Sequence, residues 1–344
     1  EFELFDKLRI QVRAQAVHIQ SIADFVARLD VVSTLAKISY DRNYCRPELN
    51  QSLQIEISNG RHPVIEQLLP VDEAFIPNDL LIDASEDQIL LITGPNMAGK
   101  STYLRQIGLL VLLAQIGCYI PADKAKIGMV DRIFTRVGAS DNLAGGESTF
   151  LVEMNETANI LNNATQRSLI LLDEIGRGTS TYDGLAIAWA LIEYLHGKTE
   201  QAARTLFATH YHELTKLEGI LPRLKNYNVA VREYDEKVIF LRKIVPGGAS
   251  RSYGIHVAQM AGVPLPVIQR ANEILSDLDS GEISVRSDEI SEAVPTFDTQ
   301  QMSLFDKQER VLRDKLKGLK LDQMTPLEAM VLLDEMTKSI DDDN

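Results

Sequence analysis

An apolar segment runs directly into a glycine-containing loop in the stretch Leu90-Leu91-Ile92-Thr93-Gly94-Pro95-Asn96-Met97-Ala98-Gly99-Lys100-Ser101. A helix-like pattern follows from Thr102, which completes the strand, loop and helix order of a phosphate-binding P-loop. Glycines let the backbone approach a phosphate closely, while the loop N–H groups and the helix N-terminus supply partial positive charge. Lys100 is expected to contact the β- and γ-phosphates, and the Ser101 hydroxyl is expected to ligate Mg²⁺. The sequence therefore predicts that residues 94–102 bind a nucleoside triphosphate.

Composition limits the classes to which the chain can belong. Its 344 residues are 45% hydrophobic and carry a net charge of −14, which is ordinary for a globular domain but unfavourable for gripping a phosphate backbone. The longest apolar stretch, Leu109–Ile120, is too short to cross a bilayer. The two cysteines, Cys45 and Cys118, form no C-x-x-C pair, which argues against a disulfide framework or a structural zinc. We therefore predict a cytoplasmic protein without a membrane partner.

The spacing of apolar residues predicts an α/β organisation. Helical spacing near the start predicts one long amphipathic helix from Phe5 to about Ser39. An alternating pattern at Asn228–Ile244 predicts a hairpin with its turn near Asp235. Continuous apolar runs are typical of buried parallel strands. Such runs, together with shorter β-type segments, occur at Leu53–Ile57, Leu80–Asp83, Ile89–Ile92, Ser168–Leu172 and Thr205–Ala208.

Chemistry-bearing residues follow two of these predicted strands. Asp173 comes at the tip of one strand, where it can hold Mg²⁺ directly or through water, and Glu174 is placed to orient or activate an attacking water. A solvated acidic turn is the alternative for such a pair, but its position downstream of a P-loop favours function. His210 follows the next strand and can sense a γ-phosphate through a charge-assisted hydrogen bond. A lone histidine is also commonly structural.

The stretch Asp141–Phe150, DNLAGGESTF, lies between the P-loop and the acidic pair. Two glycines and two hydroxyl residues ahead of a helical pattern form another candidate anion site. Because a single chain needs no second phosphate site, we interpret this stretch as serving the nucleotide of a neighbouring subunit. A flexible surface loop is the alternative.

The last third of the chain predicts helical appendages. Ser252–Ala261 and Leu265–Leu278 are predicted to form a helix-turn-helix whose second helix has Arg270 as its one basic residue. That charge favours packing or dimerisation over DNA reading. Residues 279–301 are acidic and serine-rich, which predicts a disordered linker. Two short helices are predicted from about Lys307 to Leu319 and from Pro326 to Lys338, the second needing a partner for its small apolar stripe.

Several motifs give the chain a resemblance to a known family. They are TGPNMAGKST at Thr93–Thr102, FTRVGASD at Phe134–Asp141, STFLVEM at Ser148–Met154, DEIGRGTSTYDG at Asp173–Gly184 and ATHY at Ala208–Tyr211. In this order they resemble the C-terminal part of bacterial MutS-type DNA mismatch-repair ATPases. The match is dense from about Tyr40 to Leu275.

The resemblance implies an ABC-type P-loop ATPase core with a mixed sheet, which uses ATP/ADP and Mg²⁺ and works as a head-to-head dimer with two composite sites. Lys100 and Ser101 would hold phosphate and Mg²⁺ within their own subunit, and Ser148 would reach the partner's γ-phosphate in trans. Glu174 would position water, and His210 would report hydrolysis. Phe75 would stack on adenine, with plain core packing as the alternative. Some relatives carry a histidine near Asn228, so contacts on that side of the adenine stay open.

The resemblance also implies a division of the chain. It places the end of a long lever helix at 1–40, the ATPase core at 41–245, a helix-turn-helix dimerisation element at 246–278, a linker at 279–305 and a helical segment for tetramer formation at 306–344. The linker ends in a peptide that resembles those docking on the bacterial sliding clamp, Gln301-Met302-Ser303-Leu304-Phe305.

The partners that the resemblance implies are mismatched DNA, a MutL-type repair protein and the sliding clamp, and the location is the bacterial cytoplasm at the nucleoid. The DNA-reading parts are expected to lie outside these residues. One alternative is a transporter or chromosome-structuring ATPase, but LAGGES at Leu143–Ser148 departs from the Leu-Ser-Gly-Gly-Gln signature of those proteins. The other is an assembly module that binds nucleotide and oligomerises with little turnover.

Overall fold

The computed structural model describes residues 1–70, 72–95, 98–138, 149–198, 202–234, 237–248 and 253–280. The chain divides into a unit at Glu1–Ser276 and a second unit at Asp277–Asn344, of which only 277–280 are described. Asp279 and Ser280, predicted to begin the linker, are helical instead. The rest of the predicted linker, the clamp peptide and the two C-terminal helices lie outside the described residues, and the predicted domain boundaries stay predictions. In the described part, no helix has the length and apolar character needed to span a bilayer.

Among the described residues, ten strands form two sheets. The strands are β1 (Glu48–Asn50), β2 (Gln54–Gly60), β3 (Asn78–Asp83), β4 (Ile89–Thr93), β5 (Lys124–Gly128), β6 (Ile133–Arg136), β7 (Leu169–Asp173), β8 (Arg204–Ala208), β9 (Leu224–Tyr234) and β10 (Lys237–Pro246). The six-stranded sheet has the order β10-β9-β4-β8-β7-β6, and the four-stranded sheet has the order β1-β5-β2-β3. In the larger sheet all neighbours are parallel except β9 and β10. The predicted mixed α/β fold is therefore confirmed.

The helices flank these sheets in sequence. They are α1 (Phe2–Ala14), α2 (Ala16–Asp41), α3 (Ile65–Leu68), α4 (Lys100–Gln115), α5 (Thr149–Asn163), α6 (Thr181–Gly197), α7 (Gly254–Met260) and α8 (Leu265–Ser280), with a 3₁₀ helix at His212–Gly219. The two helices α7 and α8 lie where the sequence predicted a helix-turn-helix, and β9 and β10 lie where it predicted a hairpin. The hairpin turn near Asp235 falls outside the described residues.

The prediction of one continuous helix over Phe5–Ser39 is wrong. The helix is interrupted at Gln15, whose backbone (φ −101°, ψ 2°) leaves the helical range. Its N–H bonds to the carbonyl of Val12, three residues back, which is the tighter 3₁₀ pattern that often ends an α-helix. No glycine or proline marks this position, so spacing alone could not reveal the break.

The central strands are buried on both faces. In β4, Leu90 and Ile92 belong to a core shared with α4 and the smaller sheet, while Ile89 and Leu91 belong to a second core under α6. Because successive strand residues face opposite sides, a strand between two cores is expected to be apolar at nearly every position. This accounts for the continuous apolar runs. The parallel pairing of β4, β8 and β7 places their carboxyl ends at one edge of the sheet.

Candidate nucleotide-binding site

Three adjacent strand ends define the candidate site. Ile92 of β4 pairs with Ala208 of β8, and the same Ala208 pairs with Asp173 of β7. The loop that follows Thr93, the acidic pair at the end of β7 and the residues after Ala208 therefore lie side by side. Ligands of open α/β sheets bind at the carboxyl ends of parallel strands, so this edge is where a ligand is expected.

The loop between β4 and α4 is built from backbone that favours glycine. Gly94 has φ +138° and Gly99 has φ +108°, both in the region that side chains strongly disfavour. Lys100 begins α4 and is 4% exposed. Its ammonium donates to the carbonyl oxygens of Gly94 at 2.7 Å and Pro95 at 3.1 Å. The lysine predicted to bind phosphate is thus held inside its own loop.

Electrostatics at Lys100 reflect both burial and its acidic neighbours. Burial lowers the pKa of the Lys100 ammonium, while the charges of Glu174 and Asp173 act in the opposite direction. A buried cation of this kind is costly unless an anion compensates it. A bound phosphate would supply that compensation.

Asp173 and Ser101 fit a magnesium ion. Burial raises the pKa of Asp173, and a hydrogen bond from the Ser101 side chain opposes that effect. The Asp173 Oδ1 atom is buried and has no hydrogen-bond partner among the described residues. Mg²⁺ is commonly held by one or two protein oxygens together with phosphates and water. No group of three or more His, Cys, Asp or Glu side chains that could hold a metal ion occurs in the described part of the chain.

Glu174 occupies strained backbone at the end of β7. Its φ of +51° lies in the left-handed region, which a non-glycine residue adopts at a cost that functional sites commonly bear. Its N–H donates to the Ala208 carbonyl at 2.9 Å. The carboxylate, 17% exposed, accepts a hydrogen bond from the Arg177 guanidinium at 2.5 Å. In this structure the predicted water-orienting residue is therefore paired with an arginine.

His210 lies beside this cluster. The N–H of Thr209 donates to the Ile92 carbonyl at 3.0 Å, which extends the pairing of β8 with β4 up to the histidine. Burial lowers the pKa of His210, the charge of Glu174 raises it, and Lys100 and Arg177 lower it further. The His210 ring also lies 4.2 Å from the Tyr211 ring between centroids. A lowered pKa favours the neutral form of the imidazole, which has one nitrogen that donates and one that accepts a hydrogen bond.

Phe75 lies near the start of α4. It lines a cavity of about 220 Å³ together with Gly99 and Thr102. The stretch before β3 is thus close to the end of the glycine loop, which is compatible with the predicted contact to adenine. That contact stays a prediction.

Other predicted site residues cannot be placed. Asn96, Met97, Ser148 and the peptide Gln301–Phe305 lie outside the described residues. Their predicted roles in binding nucleotide, in trans contact and in clamp docking stay predictions.

Sequence reasoning assigned no role to two charged residues that contact this site. Arg177 pairs with Glu174, and Glu153 of α5 accepts a hydrogen bond from the Gly176 N–H at 2.6 Å. The available signal for Glu153 was a carboxylate within the otherwise apolar run Leu151–Met154. A carboxylate in such a run either points to solvent or is buried with a specific partner that compensates its charge.

The turn after Glu174 packs against α6 where Gly176 meets Gly184. A larger residue at Gly184 tests how closely the two elements pack. A Cβ atom at Gly184 would lie 2.3 Å from both the Gly176 carbonyl oxygen and the Tyr211 hydroxyl. We expect Gly184→Ala to lower the free energy of unfolding by about 1–3 kcal/mol, as overpacking does, measured by denaturant titration. Gly197→Ala is the control on the same helix, since a Cβ there meets nothing within 4 Å. Equal effects of both substitutions would contradict this prediction.

The fold and the site define an α/β domain whose glycine loop, lysine and acidic pair meet at one sheet edge. The family model for MutS domain V matches residues 90–279. The chain belongs to this family.

Curated relatives named DNA mismatch repair protein MutS match nearly the whole chain. The protein from Salinibacter ruber is 50% identical over 99% of this chain and 41% of its own length. Those from Chlorobaculum parvum and Syntrophobacter fumaroxidans are 54% and 53% identical, over 97% and 99% of this chain and 37% and 39% of their own lengths. The chain thus spans about two fifths of the length of these relatives.

Proposed function

We propose that this chain is the Mg²⁺-dependent ATPase module of a DNA mismatch-recognition protein. The observation that carries the proposal is the meeting of Lys100, Asp173 and Glu174 at one sheet edge, where a buried Asp173 oxygen has no partner among the described residues. A cation at a glycine loop, a metal-ligating carboxylate and a second carboxylate are the parts that phosphoryl transfer to water requires.

Each residue would have a separate task. Lys100 would release the carbonyl oxygens of its own loop and bind the β- and γ-phosphates. Asp173 and Ser101 would hold Mg²⁺, which when bound neutralises charge that develops on the phosphates. Glu174 would leave Arg177 and orient the attacking water, accepting its proton. His210 would hydrogen-bond the γ-phosphate and register its loss.

The wider role extends the proposal to the whole protein. We infer that two modules close around two nucleotides, with Ser148 of each completing the other's site and the helices α7 and α8 contributing to the dimer. ATP would convert a mismatch-bound dimer into a sliding clamp that recruits a MutL-type protein, and Gln301–Phe305 would dock on the replication clamp. The names of the relatives support a mismatch-repair role.

A second candidate is a nucleotide-dependent assembly module with little turnover. The contact between Arg177 and Glu174 favours it, since a carboxylate held by a guanidinium is not free to orient water.

Turnover measured against protein concentration distinguishes the two candidates. Hydrolysis of Mg²⁺-ATP at a site completed in trans predicts specific activity that rises as dimers form. Activity independent of concentration would contradict the composite site. Bound nucleotide without turnover at any concentration would favour the assembly module.

A further inference from the structure

We propose that Glu153 is a positioning residue that holds the turn after Glu174 from helix α5. This inference rests on the proposed ATPase function, because it concerns the placement of the residue proposed to orient water. The side-chain polar contacts of Glu153 are with Gly176 and Arg136 rather than with Lys100 or Glu174, so its action on Glu174 runs through the turn.

Glu153 is a buried acid with two specific partners. It is 4% exposed, and its Oε1 atom accepts a hydrogen bond from the Gly176 N–H at 2.6 Å. Its Oε2 atom lies 3.6 Å from the Arg136 guanidinium at the end of β6. A carboxylate is rarely buried unless it is paired and hydrogen-bonded, so these two contacts are what allow Glu153 to be buried here.

Gly176 is the point at which the turn is fixed. Its φ of +89° demands glycine, and its carbonyl oxygen accepts a hydrogen bond from the Tyr211 hydroxyl at 3.2 Å. Glu153 thus holds the N–H of Gly176 while Tyr211 holds its carbonyl. Two residues upstream lies Glu174, and one residue downstream lies Arg177.

The same contacts link α5 to both catalytic strand ends. The Tyr211 ring lies against His210, so the Glu153–Gly176–Tyr211 connection runs from α5 through the end of β7 to the end of β8. Helix α5 begins at Thr149, directly after Ser148 in the chain. Under the proposed function, a shift of α5 on dimer closure would therefore reach Glu174 and His210 through Gly176.

The test compares variants in the full chain. We expect Glu153→Ala to lower kcat for Mg²⁺-ATP about tenfold, equivalent to about 1.4 kcal/mol of transition-state stabilisation. The KM for ATP should stay within about twofold, because the loop contacts of Lys100 remain. Glu153→Gln, which keeps a carbonyl oxygen for the Gly176 N–H, should have a kcat between that of Glu153→Ala and the wild type.

The matched control is Glu156→Ala on the same helix. Glu156 also pairs with Arg136, at 3.1 Å, but its side chain is 46% exposed. The contacts described for Gly176 do not involve it, and kcat should be unchanged. An equal loss of kcat in Glu156→Ala and Glu153→Ala would overturn the proposal, since the effect would then belong to Arg136.

Amide hydrogen exchange of residues 174–178 in the nucleotide-free protein provides a readout that does not depend on activity. Exchange in this turn should rise in Glu153→Ala and not in Glu156→Ala. If the wild type fails to hydrolyse ATP, the proposed function fails, yet the exchange result still decides whether Glu153 holds the turn. If Glu153→Ala does not fold, the same measurements are made on Glu153→Gln and Tyr211→Phe. A kcat and an amide exchange rate equal to those of the wild type in both variants would overturn the proposal.

Discussion

Glu174→Ala is expected to reduce kcat for Mg²⁺-ATP at least about 100-fold, the low end of what a positioned general base contributes. ATP affinity should change little, since the phosphate contacts are assigned to Lys100 and the glycine loop. The physical basis is the placement of Glu174 at the end of β7, directly after Asp173 and within electrostatic reach of Lys100 and His210. Because φ +51° is unfavourable for a non-glycine residue, the surrounding fold must hold Glu174 in this backbone conformation.

The measurement combines turnover, equilibrium ATP binding and sedimentation of both proteins in ATP. If the site is shared between subunits, the variant should accumulate as an ATP-held dimer, because closure occurs and hydrolysis does not follow. Glu56→Ala is the control, since Glu56 is an exposed carboxylate on β2 of the smaller sheet. Equal turnover of the wild type and Glu174→Ala would show that Glu174 does not activate water.

The central strands and the site edge were predictable from sequence for a definite physical reason. Strands buried on both faces are mostly apolar, so Ile89–Ile92 and Thr205–Ala208 stood out as nearly continuous apolar runs. Functional residues were expected just after these strands, because ligands of parallel sheets bind at the carboxyl ends of the strands. The pairing of β8 with β4 places His210 beside the end of β4, while its role at a γ-phosphate stays a prediction.

Specific hydrogen bonds and ion pairs were the part of the structure that could not be predicted from the sequence. The break at Gln15 depends on a local hydrogen bond to Val12 and has no compositional marker. The pairing of Glu153 with Gly176 joins residues from two elements, and nothing in either motif alone specifies its partner. Arg177 and Glu174, which form an ion pair, are only three residues apart. In a glycine-rich turn, however, two opposite charges at this spacing can equally well both point into solvent without pairing.

Lys100→Met should separate a functional lysine from a structural one, because binding and stability are expected to respond differently. ATP affinity should fall about 10- to 100-fold, since hydrogen bonds to charged groups contribute about 1.5–3 kcal/mol each. Removing the charge also leaves Asp173 with a still higher pKa, because Lys100 lowers it, and this further weakens Mg²⁺ binding. Isothermal titration with ATP and Mg²⁺ measures both effects.

Stability of the nucleotide-free protein should change by about 1 kcal/mol or less, because the desolvation cost that methionine avoids offsets the two hydrogen bonds that Lys100 donates to loop carbonyls. Lys100 is 4% exposed and burial lowers its pKa, so the ammonium is held there at a cost that methionine avoids. Lys216→Met removes the same charge from an exposed position on the 3₁₀ helix and should alter neither property. A lysine kept for folding would show the reverse pattern, with stability lost and ATP affinity retained. Lower ATP affinity together with an unchanged free energy of unfolding would show that the buried Lys100 ammonium serves to bind phosphate rather than to stabilise the fold.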